Sequence, residues 1–174
     1  LNTGEAKNVL VGGIDELTTE VYDLLKRLQN ARIKTTKKNL SLQPAKTYRF
    51  GEGSSFFVLS DKHNSASQVE ITNFNLLYKP EKDQIISNFE NYTRNDEIDL
   101  FLLGKNDEKM NDESYNWISS LIHNKKCFNY KSLCGDYPTA LSFGLWLATS
   151  ILSGSGNPMI PIGKINNIKY IIYI

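Results

Sequence analysis

The segment from residue 138 to residue 152, PTALSFGLWLATSIL, restricts the possible folds more than any other part of this sequence. It is predicted to form a helix that begins at Pro138, because proline is favoured in the first turn of a helix. Its large apolar side chains fall on every side of that helix: Leu141, Phe143, Leu145, Trp146, Leu147, Ile151 and Leu152. A helix without a polar face is typical of a position buried between other layers of a protein.

Short apolar runs alternate with helical patterns along the rest of the chain. Residues 8–15 and 98–104 each form an apolar run that contains or ends in glycine, which is typical of a buried strand. Residues 17–30 and 81–92 carry apolar residues at helical spacing. Residues 67–78 alternate apolar and polar residues, as a half-exposed antiparallel strand does. Strands that alternate with helices predict an α/β fold, and the apolar helix predicts a layered sandwich with that helix between two sheets.

Further patterns complete the predicted order of elements. Residues 106–124 are predicted to form a polar loop followed by a helix. Residues 127–133 and 169–174 are predicted to form short strands. The polar stretch 31–46 is predicted to be a surface loop. The chain starts as if within a helix and stops as if within a strand, so the sequence is expected to be an incomplete portion of a larger fold.

Composition excludes several classes of protein. The 174 residues suit one domain or half of a larger fold, and the 40% hydrophobic content is enough for a core. Twenty basic and nineteen acidic residues leave no basic excess, so no nucleic-acid partner is expected. No apolar run approaches the length of a membrane span. Cys127 and Cys134 do not make a disulfide scaffold, so a reducing, cytoplasmic setting is expected.

Cys134 is the first candidate for chemistry, because it precedes Gly135 and Asp136 close to a predicted helix start. A helix start lowers the pKa of a thiol, but a nucleophilic cysteine also needs a histidine base. His63 lies in a polar turn and His123 at the end of an exposed helix, so neither is placed to serve. We therefore favour the interpretation that Cys134 is a small side chain that packs under the helix. A zinc site is also disfavoured, because the isolated cysteines and histidines lack the spacing of zinc ligands.

Glycine-rich and acidic loops offer weaker alternatives. The GEG of residues 51–53 precedes a strand and the SGSG of residues 153–156 follows a helix, which is the wrong order for phosphate binding. The acids of residues 106–112 do not follow the EF-hand pattern. Tight turns and a solvated loop are the better interpretations.

Several stretches, in this order, resemble parts of a β-ketoacyl synthase, a condensing enzyme of the thiolase-like superfamily. NVLVGGIDEL, at residues 8–17, resembles the strand and Gly-Gly turn after the helix that starts at the nucleophilic cysteine. Residues 48–78 resemble the family's G-E-G turn, its strand and the following antiparallel strand. IDLFLLGKNDEKMND, at residues 98–112, and KSLCGDYPTALSFGLWLA, at residues 131–148, resemble the two loops that carry the catalytic histidines. The order and spacing of the motifs together indicate a divergent bacterial branch.

The resemblance implies a layered thiolase-like sandwich of sheet, buried helix and sheet. Residues 1–174 would be part of a single condensing-enzyme domain, with residues 1–80 at the end of its N-terminal half and residues 81–174 forming most of its C-terminal half. The nucleophilic cysteine would lie upstream of Leu1.

Both family histidines are replaced in this chain. In the K-x-x-x-G-H motif, Lys131 and Gly135 match while Asp136 stands in place of the histidine. In the H-G-T-G-T loop, Gly104 takes the histidine position, and Asp112 matches the acid that follows the loop. We expect Lys131 and Asp136 to form an ion pair that holds the loop.

The resemblance implies acyl transfer, by decarboxylative Claisen condensation on acyl-carrier-protein thioesters, in fatty acid or polyketide synthesis. Two alternatives stay open: a non-catalytic partner similar to a chain-length factor, and an unrelated α/β binding domain. This chain alone is expected to be inactive. The implied partners are acyl carrier protein and a second subunit, either a copy of this chain or a ketosynthase, paired through strands of the central sheets. No metal or membrane is implied, nor any cofactor beyond the carrier's phosphopantetheine.

The acidic carrier protein would dock on a basic patch. Lys34, Lys37 and Lys38 are the candidates, although a run such as KTTKK is more often a solvated loop.

Overall fold

The structure is a computed structural model that describes residues 6–32, 50–63, 69–93, 98–105, 109–122, 125–154 and 171–173. Helices and strands alternate in these residues, which confirms the predicted α/β class. The elements are β1 (Asn8–Asp15), α1 (Thr19–Arg32), β2 (Gly53–Ser60), α2 (Lys82–Thr93), β3 (Leu100–Leu103), α3 (Lys109–Leu121), β4 (Lys126–Asn129), α4 (Lys131–Cys134), α5 (Ala140–Ser153) and β5 (Ile171–Tyr173).

Strands β1 and β2 form an antiparallel pair, which we call the ribbon. They are in register from Asn8 opposite Ser60 to Asp15 opposite Gly53. Side chains alternate between the two faces of such a pair, and here one face is more exposed than the other. The inner face meets the chain just before α5: the Gly13 backbone packs against the Thr139 side chain.

Strands β4, β3 and β5 form a parallel sheet in that spatial order. The helix α3 lies between β3 and its parallel neighbour β4 in the sequence. It supplies the crossover connection that two parallel strands need. The whole of β3 is buried, as the apolar run at residues 98–104 predicted.

The two faces of β3 contact two separate clusters of apolar side chains. Leu100 and Leu102 pack with the buried side of α5. Phe101 and Leu103 pack with α2 and α3, where the Phe89 ring stacks on Phe101 at a centroid distance of 5.6 Å. The helix α5 also contacts β2 of the ribbon. The described layers therefore follow the order α2 and α3, parallel sheet, α5, ribbon.

The predicted burial of the helix at residues 138–152 on all sides is wrong for the residues that the structure describes. Leu141 and Trp146 on α5 are each 48% exposed. Its fully buried positions fall at helical spacing on one side: Ala140, Gly144, Leu147 and Ala148. The sheet covers that side closely, whereas β2 covers the other side only in part.

Two predicted strands also differ from the structure. The strand expected within residues 67–78 is absent from the described stretch 69–78, because that backbone forms no ladder there with another strand. The strand β1 is not buried on both faces: Leu10 and Ile14 are 69% and 71% exposed, since only the inner face of the ribbon is covered by other described residues.

Within the described part of the chain, no helix has both the length and the apolar character needed to cross a bilayer.

Candidate functional site

Lys131 and Asp136 form an ion pair at the centre of the predicted site. The Lys131 Nζ atom donates a hydrogen bond to Asp136 Oδ1 over 2.6 Å, and the two side chains are only 17% and 19% exposed. A charge-assisted hydrogen bond of this length between two largely buried groups is a strong contact. The predicted ion pair is therefore confirmed.

The short helix α4 brings the two partners together. It begins after Tyr130, whose side chain is 1% exposed and lies in the core beneath α5. The Gly135 amide donates to the carbonyl of Lys131 over 2.9 Å, which closes the turn. At Gly135 φ is +77°, and only glycine adopts this region readily, so the chain reverses there and returns Asp136 to Lys131.

The GEG turn lies directly against this loop. The Gly51 amide donates to the carbonyl of Asp136 over 3.0 Å, and a β-carbon on Gly51 would lie 2.0 Å from the carbonyl oxygen of Cys134. A β-carbon on Gly135 would lie 2.9 Å from the Gly51 backbone. Two glycines from distant parts of the sequence thus permit one backbone contact, which places the GEG motif beside the Lys131–Asp136 pair.

The second predicted loop, at the carboxyl end of β3, lies beside the first. Gly104 is buried there, and the Asn129 side-chain amide donates to the carbonyl of Lys105 over 3.0 Å. The Asn129 Oδ1 atom in turn accepts from the Lys131 amide over 3.2 Å. The structure therefore joins Lys131, Gly135 and Asp136 in one loop, and the Asn129 side chain links that loop to Lys105, the residue after Gly104.

Asp15 is a site neighbour that the sequence analysis missed. Its Oδ2 atom accepts a hydrogen bond from the Thr139 amide over 2.7 Å and another from the Thr139 hydroxyl. Thr139 precedes the first residue of α5 and makes no capping bond with its own side chain. Asp15 thus caps α5 from the end of β1. An acid as the last residue of an apolar strand was the available signal.

Cys134 has the properties of a packed thiol rather than of an activated nucleophile. It is half-buried beside the core, and burial raises the pKa of its thiol despite a hydrogen bond with the Tyr137 hydroxyl and the nearby Lys131 charge. Burial, and then the neighbouring Cys134, also raise the pKa of Tyr137 to about 12. Both groups are therefore neutral near pH 7, and Cys134 packs against the core as the sequence analysis predicted.

Tyr115 approaches the site from α3. Burial and the Asp136 charge together raise its pKa to about 12, so its hydroxyl keeps its proton. Tyr115 packs against the cluster that contains Phe101, on the side of β3 opposite to α5.

The other predicted candidates do not join this site. His63 is exposed in the turn after β2, and Cys127 is exposed on β4. His123, Lys34, Lys37 and Lys38 lie outside the described residues, as does the side chain of Asp112.

The arrangement offers a cation, a carboxylate and neutral hydroxyl and thiol groups, with no imidazole beside them among the described residues. Those residues also contain no group of three or more His, Cys, Asp or Glu side chains that could hold a metal ion. The site can accept or donate hydrogen bonds, but the Lys131 ammonium is already paired with Asp136.

Comparisons with known proteins do not place the chain in a family: no protein-family model, curated protein or solved structure matches it. The likeness to β-ketoacyl synthases rests on the sequence motifs and stays a prediction.

Proposed function

We propose that this chain is a non-catalytic, condensing-enzyme-like partner in acyl transfer on acyl-carrier-protein thioesters. The single observation that carries the proposal is the 2.6 Å contact between Lys131 Nζ and Asp136 Oδ1. By the motif resemblance, Asp136 occupies the position of a histidine that condensation requires. The partner's role would then be to keep the fold and to pair with an active ketosynthase.

The chemistry of condensation explains why this contact matters. As the enolate forms, hydrogen-bond donors must point at the thioester carbonyl, and loss of one such donor costs a factor of about 10²–10³ in rate. An ionised carboxylate only accepts hydrogen bonds, so Asp136 would repel the developing negative charge. Lys131 holds Asp136 as its ion-pair partner, which favours a structural role for both.

The state of the Cys134 thiol argues against this residue as the nucleophile. Acyl transfer needs a thiolate, and a reactive cysteine has a lowered pKa. Burial instead raises the pKa of Cys134. The nucleophile of the reaction would therefore belong to a residue other than Cys134, and in the proposed function it belongs to the partner ketosynthase.

The order of layers also supports the proposal. The helix α5 contacts the parallel sheet on one side and β2 of the ribbon on the other. Sheet, helix and sheet in this order are what a portion of a thiolase-like sandwich would contain. The proposal accordingly keeps residues 1–174 within a single condensing-enzyme domain.

A second candidate function is an active acyltransferase that uses Lys131 as its donor. Lys131 matches the family's lysine, and its ammonium lies within the site at 17% exposure. Movement of Asp136 away from it would free a charged donor for a thioester carbonyl. This candidate requires an acyl group on a cysteine of the full-length protein.

The two candidates are separated by the intact mass of the full-length protein after incubation with acyl-loaded carrier protein. The non-catalytic partner gains no acyl mass, and it raises the condensation rate of the ketosynthase of the same organism when the two are mixed. An acyl adduct that disappears when one cysteine is changed to alanine would establish the acyltransferase instead. If the protein neither gains an acyl group nor binds carrier protein or ketosynthase, both candidates are rejected.

Asp136→His provides the sharper variant, because it restores the family's residue. Asp136→Asn is its matched control, since it removes the charge without supplying an imidazole donor. If the loss of the histidine at position 136 is by itself enough to prevent catalysis, Asp136→His and not Asp136→Asn moves the protein towards acyl transfer when a nucleophile is present.

A further inference from the structure

We draw no further inference here: the strongest candidate, the exposed apolar face of the ribbon that Leu10, Ile14, Phe56 and Val58 form, carries nothing because nothing in the structure shows what covers it.

Discussion

The ammonium nitrogen of Lys131 lies 2.6 Å from a carboxylate oxygen of Asp136, five residues later in the sequence. The contact connects the first residue of α4 with the residue after Gly135, where the chain reverses direction. It therefore joins the two ends of the loop against which the GEG turn packs. Because both side chains are largely buried, their charges are screened less than those of a surface pair.

Removal of either partner should destabilise the fold. Lys131→Met or Asp136→Asn leaves the other group without its closest charged partner, at a cost of about 1–3 kcal/mol in the free energy of unfolding. The double variant should lose less than the sum of the two single losses, because the interaction is then removed only once. Urea denaturation of all four proteins measures this coupling. Strictly additive losses would show that the pair does not stabilise the loop.

Gly135→Ala should be among the most destabilising single-methyl changes in the described residues. Its φ of +77° and ψ of −174° lie in a region that is nearly exclusive to glycine, and the new methyl would meet the Gly51 backbone. We expect a loss of about 3 kcal/mol or more, from strain and overpacking together.

Gly154→Ala is the matched control for this change. Gly154 also has a positive φ, of +64°, but a β-carbon there would meet nothing within 4 Å. Its loss should be about 1 kcal/mol, from the backbone conformation alone. Equal losses in the two variants, measured by urea denaturation, would contradict the close contact between Gly135 and Gly51.

Asp15→Ala should weaken the junction between β1 and α5. It removes the acceptor of the Thr139 amide, and loss of a helix cap of this kind costs about 1–2 kcal/mol. Asp61→Ala is the control, because Asp61 is an exposed aspartate just beyond the other end of the ribbon, where a change should cost less than about 0.5 kcal/mol. Thermal unfolding compares them, and a similar melting temperature for both variants would count against the capping role.

The protein should lose stability in alkali through Tyr115 and Tyr137, whose pKa values are raised. The pKa of Tyr115 and that of Tyr137 are each raised from 10.0 to about 12, so the folded chain holds these protons more tightly than the unfolded chain does. Their contribution to stability is therefore complete below about pH 10 and is lost as the pH rises towards 12.

Tyr137→Phe tests this pH dependence, because it removes one of the two groups. The variant should lose less stability between pH 10 and 12 than the unchanged protein, as measured by urea denaturation at each pH with tyrosinate absorbance at 295 nm. Tyr78→Phe, at an 85% exposed position, should leave the pH dependence unchanged. An identical alkaline loss in Tyr137→Phe would show that Tyr137 does not contribute to it.

Local sequence patterns were sufficient to predict those elements whose apolar faces are covered by apolar neighbours in the structure. The continuous apolar run at residues 98–104 predicted β3, and both faces of that strand meet apolar clusters. Helical spacing predicted α1 and α2 with small differences at their ends. The motif resemblance, with opposite charges at its Lys131 and Asp136 positions, predicted their ion pair, and the contact closes within a single loop.

Predictions that depended on distant neighbours were less reliable. The stretch 69–78 alternates like a strand, but alternation supplies only side chains, and a strand also needs a partner for its backbone. The strand β1 and the helix α5 are apolar on more sides than the described neighbours cover. The apolar residues of a segment show which of its faces can be buried. Which of those faces are buried depends on the other segments that pack against it.

The sequence by itself determined the α/β class, the position of most elements and the loop that joins Lys131 to Asp136, because propensity, periodicity and short spacing act within a few residues. Only the tertiary structure decided that Gly51 packs against Gly135 and that Asp15 caps α5. These contacts join residues 84 and 124 positions apart. No local pattern specifies such a pair, since their approach depends on how the ribbon, the sheet and α5 pack together.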